Sequence, residues 1–129
     1  SSERKSTSIE EIVWFLKEAE TYYLATVKGD RPRVHPLGTA HAFEKAVIQT
    51  RKRKDVFKQL HANPKAELHA FKDREGIRVA GELIEDDRVE VRQSILNAYP
   101  EPKKIYAADD GNTEVFYFKH GVATIIFHP

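Results

Sequence analysis

The 129-residue chain has no cysteine, so it is one domain long enough to bury a core, with disulfides, thiolate metal sites and cysteine nucleophiles excluded. Its 21 Lys and Arg nearly cancel its 20 Asp and Glu, leaving a formal charge of +1. Any basic cluster is therefore a local feature and not part of a broad nucleic-acid-binding face. No apolar run approaches the roughly 20 residues of a membrane span and no signal-peptide core is present, so a cytoplasmic protein is expected.

In chain order, the polar opening over residues 1–7 reads as a disordered lead-in, with the folded domain over 8–129. Ser8 followed three residues on by Glu11 is a capping box. Ile12, Val13, Phe15, Leu16 and Ala19 then make an apolar stripe, which predicts a helix from about Ile9 to Glu18 with Trp14 off the stripe. Tyr22–Val27 is rich in β-formers and ends at the hairpin turn Lys28-Gly29-Asp30. The following strand, over 31–40, places Arg31, Arg33, His35 and Leu37 on one face and Pro32, Val34 and Pro36 on the other. Two prolines cannot donate to a central ladder, so this strand is irregular or lies at an edge.

Glu44-Lys45 is a turn, and Ala46–Thr50 a third strand. A helix from about Lys54 to His61 stops at Asn63-Pro64. Lys65–Lys72 is a strand, Asp73–Gly76 a turn, and Ile77–Glu85 a strand with a possible bulge site at Gly81. Asp86 or Asp87 is expected to cap a helix carrying Val89, Val91, Ile95 and Leu96, which ends before Tyr99-Pro100. A loop over 102–108 and a turn over 109–112 lead to two closing strands, Glu114–Lys119 and Val122–Phe127. Short hairpin-type connections with three helices among them point to a mainly β fold with peripheral helices, a six- to seven-stranded antiparallel sheet closed into a small barrel.

The most informative stretch is Gln49–Asp55, where a strand passes four consecutive cations, Arg51 to Lys54, into a helix. Cations oppose the positive end of the helix dipole, each costing a few tenths of a kcal/mol or more. Two readings stay open on the residues alone. Either the turn binds an anion such as a phosphate, aided by free backbone N–H groups, or it is a solvated basic turn.

The run Tyr22–Val27, with Gly29 through Gly38, resembles the opening strands of the pyridoxamine 5′-phosphate oxidase-like proteins. The likeness continues through Thr50, Lys54–Leu60 and Asn63-Pro64, then Ala80–Glu82 and Ala108–Gly111, spanning about Ile12 to Ile126. The resemblance implies an FMN-binding split barrel in which flavin lies between the two subunits of a homodimer. It implies that Arg33, Val34 and His35 contact the cofactor from the second strand, His35 standing where an arginine is common. It places Gln49 and Thr50 beside the isoalloxazine, and Arg53 and Lys54 on the phosphate. The oxidase's arginine-bearing C-terminal motif is not found, so pyridoxal phosphate synthesis is not implied, and the early end of the chain suggests weaker flavin retention.

The activity implied is that of a small FMN-dependent oxidoreductase or flavin reductase, drawing on a nicotinamide donor and acting on a small molecule. No general acid or base is assigned. Haem- or deazaflavin-binding relatives are alternatives, and a rival from another class is a small barrel that binds single-stranded nucleic acid. Six histidines show no ligand spacing with a carboxylate, and no metal site is expected. For the homodimer, Trp14 and Phe116 are expected to supply apolar interface.

Overall fold

The computed structural model describes residues 2–51, 54–99 and 113–129, which contain three helices and eight strands. Helix α1 (Ile9–Ala19) starts where the capping box predicts, with the Glu11 N–H donating to Ser8 Oγ at 3.1 Å. The box is not reciprocal. Glu11 turns its carboxylate the other way and accepts from Arg4 at 2.7 and 3.2 Å and from Ser6 at 2.6 Å.

Those bonds overturn the expectation of a disordered lead-in. Ser2–Ser6 forms strand β1, antiparallel to β8 (Thr113–Phe127), with Ser2 opposite Phe127 and Ser6 opposite Ala123. A ladder along β8 and the anchors on Glu11 together hold residues whose composition alone predicts no structure. Ser6 is buried as a result.

The remaining strands are β2 (Tyr22–Lys28), β3 (Arg31–Leu37), β4 (Ala40–Phe43), β5 (Lys45–Arg51), β6 (Lys65–Lys72) and β7 (Glu75–Asp86). They pair in the order β3-β2-β6-β7-β8-β5-β4, every contact antiparallel, and the sheet curls into a split barrel. The proline-rich β3 is an edge strand, which is where its missing donors are harmless. Inside the curl, Tyr22, Leu24, Leu68, Ile77 and Phe116 pack against Leu16 of α1 and Leu60 of α2 (Asp55–Ala62). Phe116, expected at a subunit interface, is instead core, edge-on to Phe57 at 6.3 Å, whereas Trp14 is 60% exposed. A smaller cluster of Val47, Val91, Ile95 and Val115 seats α3 (Val89–Ala98).

Four local expectations change. The single strand over 31–40 divides into β3 and β4 across Gly38-Thr39, where the buried Tyr22 hydroxyl donates to the Thr39 carbonyl at 2.6 Å. The β6–β7 turn is carried by Asp73 and Arg74, both at positive φ (52° and 67°), and not by Gly76. Gly76 instead lies within β7, where a Cβ would come within 2.9 Å of the His69 ring. The two closing strands are one long, bent β8 that follows β7 from Glu75↔Phe127 to Asp86↔Val115. Its bend faces the expected irregularity at Gly81, where the register shifts and a Cβ would meet the backbone of Lys119 and Gly121 at 3.0 Å. Finally, the N-cap of α3 is Arg88, with no side-chain cap. Asp86 accepts from the Arg88 N–H at 3.3 Å and pairs with its guanidinium at 2.9 Å.

Candidate functional site

Edge strand β3, the end of β5, the first turn of α2 and the last turn of α3 enclose an open cleft of about 460 Å³. That is within the roughly 300–1,000 Å³ typical of small-molecule sites. Six of the seven residues singled out from the sequence, Arg33, Val34, His35, Gln49, Thr50 and Lys54, line it together. Arg53, with Lys52, lies outside the described residues.

The α2 end of the cleft is chemically unusual. Lys54 is the N-cap, in an extended conformation, and no side chain caps the helix. The Lys54 N–H donates to the Arg51 carbonyl at 3.1 Å. The start of α2, with the positive end of its dipole, lies at a cleft lined by Arg33, Arg51 and Lys54, with Asp55 the one acid among the described lining residues. The side chains of Arg33 and Lys54 are exposed and form no hydrogen bond or ion pair among the described residues. Arg33 and Lys54, exposed beside the positive end of α2, are groups that could hold an anion.

Beneath β3 lies a network that sequence reasoning missed. His35 Nε2 is 2.8 Å from Gln59 Oε1 and 3.0 Å from Thr26 Oγ1, and the Thr26 hydroxyl donates to Gln59 Oε1 at 2.6 Å. Thr26 and Gln59 are only 2% and 5% exposed. One signal for Gln59 was available: it falls with Val56 and Leu60 on the buried face of α2, where an amide needs a partner.

The third wall, Ile95, Leu96 and Tyr99 from the end of α3, was also missed. The helix and its apolar residues are legible, but nothing in the pattern says which strands they cover. Tyr99 fixes this wall by donating to the Ala40 carbonyl at 2.8 Å and accepting from the Ala40 N–H at 3.2 Å. His41 Nε2 meets Ser94 Oγ at 2.7 Å on the same helix. Burial, with the positive charge of Lys17, pushes the His41 imidazole below its ordinary range, so this fastening favours the neutral ring.

The comparisons with known proteins agree with this architecture. The family model for pyridoxamine 5′-phosphate oxidase matches residues 8–117. The chain belongs to the pyridoxamine 5′-phosphate oxidase-like family. It is similar to a NimC/NimA family protein of Clostridium acetobutylicum, with 41% identity, a TM-score of 0.87, and coverage of 92% of this chain and 87% of that one. It shares the fold of an FAD-binding protein of Mesorhizobium loti, at 16% identity, TM-score 0.64, and 98% and 99% coverage. It also shares the fold of the heme-storage protein HutZ of Vibrio cholerae, at 15% identity, TM-score 0.69, and 92% and 93% coverage. No curated protein matches the chain.

Proposed function

We propose that the cleft binds flavin mononucleotide, one per chain, and that the protein is a small oxidoreductase reduced by a nicotinamide donor. The observation that carries this reading is the uncapped, cation-lined start of α2 opening into the cleft. Lys54 and Arg33 neutralise the phosphate and first-turn N–H groups of α2 bond it, with Arg53 assigned there on family resemblance. Gln49 and Thr50, on β5, flank the ring system, while the apolar side chains of Ile95 and Leu96 exclude water from one side. Hydride and electron transfer is the chemistry that the flavin supplies once bound. The chain's own residues bind and orient it, and none is assigned a proton-transfer role.

The protein acts as a homodimer in this reading, because the cleft is open beside an edge strand and a second copy would cover it. Val34 on β3 and Tyr23 on β2, 64% and 52% exposed, supply apolar surface for that contact. Light scattering at tens of micromolar gives a dimer mass, and a monomer mass with and without FMN overturns this part.

Fluorescence titration tests the ligand. Micromolar FMN should be quenched to a stoichiometry of one per chain, with an absorbance shift. Absence of quenching by FMN alongside saturable binding of haem or a deazaflavin would move the cleft to one of those cofactors.

A further inference from the structure

We propose that Tyr99 is the specificity-determining residue for the ring end of the ligand: its side chain closes the cleft off from a neighbouring hollow and stops the ring there. The inference rests on the flavin reading of the cleft.

The hollow, of about 330 Å³, adjoins the cleft and is lined by Lys17, Glu20, Gly38, Ala98 and Tyr99. Among the described residues, Gly38 and Tyr99 alone line both spaces. Gly38 has no side chain, so the Tyr99 side chain is the one that stands between them. It is held there from three directions. Its hydroxyl donates to the Ala40 carbonyl at 2.8 Å and accepts from the Ala40 N–H at 3.2 Å. Its ring packs against the small cluster that seats α3. The Lys17 ammonium, which lines the hollow and not the cleft, sits 5.6 Å from the ring centroid. With the hydroxyl proton committed to Ala40, what Tyr99 offers a ligand is ring carbon.

Sheet register places Tyr99 along the ligand. Ala40, which holds its hydroxyl, lies opposite Ile48 on β5. From there β5 runs through Gln49 and Thr50 to Arg51, and Lys54 then caps α2. At the rise of a strand, Ile48 and Arg51 are about 10 Å apart. Tyr99 therefore stands at the end of the cleft away from the phosphate, where the ring must finish.

The two edges of a flavin ring differ. The pyrimidine edge carries carbonyl and N–H groups that need partners when buried, whereas the dimethylbenzene edge is apolar. Tyr99, Ile95 and Leu96 form an apolar wall, while Gln49 and Thr50 carry an amide and a hydroxyl. The dimethylbenzene edge is therefore the one that abuts Tyr99. A group much larger than methyl at C8 of the flavin would have to enter space that the phenol ring fills. Without that ring the cleft and the hollow become one, since Gly38 and Ala98 are too small to refill the gap.

The wild-type protein saturated with FMN provides a readout that needs no variant to fold. The flavin C7 and C8 methyl protons should show NOEs to the Tyr99 ring protons. FMN carrying a morpholino group at C8 should bind the wild type about tenfold or more weakly than FMN, the cost of overpacking a filled wall. Tyr99→Ala should close most of that gap, and Tyr99→Phe, which keeps the ring, should preserve it. FMN methylated at N3, on the pyrimidine edge, should keep one ratio to FMN in all three proteins. General loosening of the fold would weaken every flavin alike and leave these ratios unmoved. No NOE to Tyr99, an equal C8 gap in the wild type and Tyr99→Ala, or a gain confined to the N3-methyl ligand overturns the proposal and leaves the flavin reading standing. Failure of every flavin to bind the wild type would overturn both.

Discussion

Helices α1 and α2 both follow an extended segment, both begin on an N-cap in the β region of backbone space, and both pack on the same core. They begin in opposite ways. At α1, Ser8 caps the backbone, Glu10 and Glu11 occupy the first turn, and Glu11 is itself bonded to Arg4 and Ser6. At α2 the N-cap is a lysine, no side chain caps the helix, and Asp55 is the only acid in the first turn. A helix start whose donors and charges are answered by its own chain contributes stability. One left uncapped at a cleft does not contribute that stability, which is what the proposed binding role would require.

Breaking the unsatisfied end should give the largest effect. Lys54→Ala should weaken FMN binding roughly 10- to 100-fold, the worth of a charge-assisted bond of about 1.5–3 kcal/mol. Riboflavin, which has the same ring and no phosphate, should lose far less, and the unliganded protein should be as stable as before or slightly more so. Arg53→Ala should behave alike, and Arg51→Ala or Lys52→Ala should do less. Equal losses for FMN and riboflavin in a four-variant titration at one salt concentration would mean that the turn shapes the ring pocket and holds no phosphate.

Breaking the satisfied end should give the mirror image. Ser8→Ala should cost about 1 kcal/mol of unfolding free energy in urea, with FMN affinity unchanged. A change in affinity here would show that the two helix starts are coupled through the core. Exchanging the chemistry sharpens the contrast further. Lys54→Asp gives α2 a capping carboxylate at its positive end, so the unliganded protein should gain roughly 0.5 kcal/mol or more while FMN binding falls. Unchanged or lower urea stability would show that Lys54 makes no electrostatic concession.

The smallest effect concerns Glu11 and pH. Hydrogen bonds from Arg4 first and Ser6 second hold its carboxyl down from 4.5 to about 2. Because the folded value lies below the unfolded one, the stabilisation is complete above about pH 4.5 and disappears as pH falls toward about 2. The pair is partly exposed, Arg4 and Glu11 retaining 57% and 34% side-chain accessibility, so solvent screening keeps the gain modest. Glu11→Gln should lower Tm at neutral pH and remove this part of the acid-side slope. Parallel Tm-against-pH curves for the two proteins would show that Glu11 contributes none of it.

Much of the fold is written in short-range chemistry. Ser8 with Glu11 starts α1, Gly29 at φ 63° turns β2 into β3, Asn63-Pro64 ends α2, and the prolines of β3 send it to an edge. On β3 and β5 the site was legible through the family resemblance, which singles out Arg33, Val34, His35, Gln49 and Thr50; alternation alone does not, since neighbouring residues of β3 line the cleft together. Gln59 and Tyr99 were not legible as site residues, since one acts through His35 and the other belongs to a helix whose resting place depends on the whole sheet.

By itself, then, the sequence determined the elements with strong local signals, the antiparallel hairpins, and a basic strand-to-helix turn. Tertiary structure decided the order β3-β2-β6-β7-β8-β5-β4, the conversion of a polar opening into β1, the merging of the last two strands into one, and the third wall of the cleft. The physical reason is range. Caps, turns and alternation are settled between residues a few positions apart, whereas the pairing of Ser2 with Phe127 or of Tyr99 with Ala40 forms only once the sheet has curled. Long-range contacts of this kind are favourable only after loop closure has been offset by the core that every element shares.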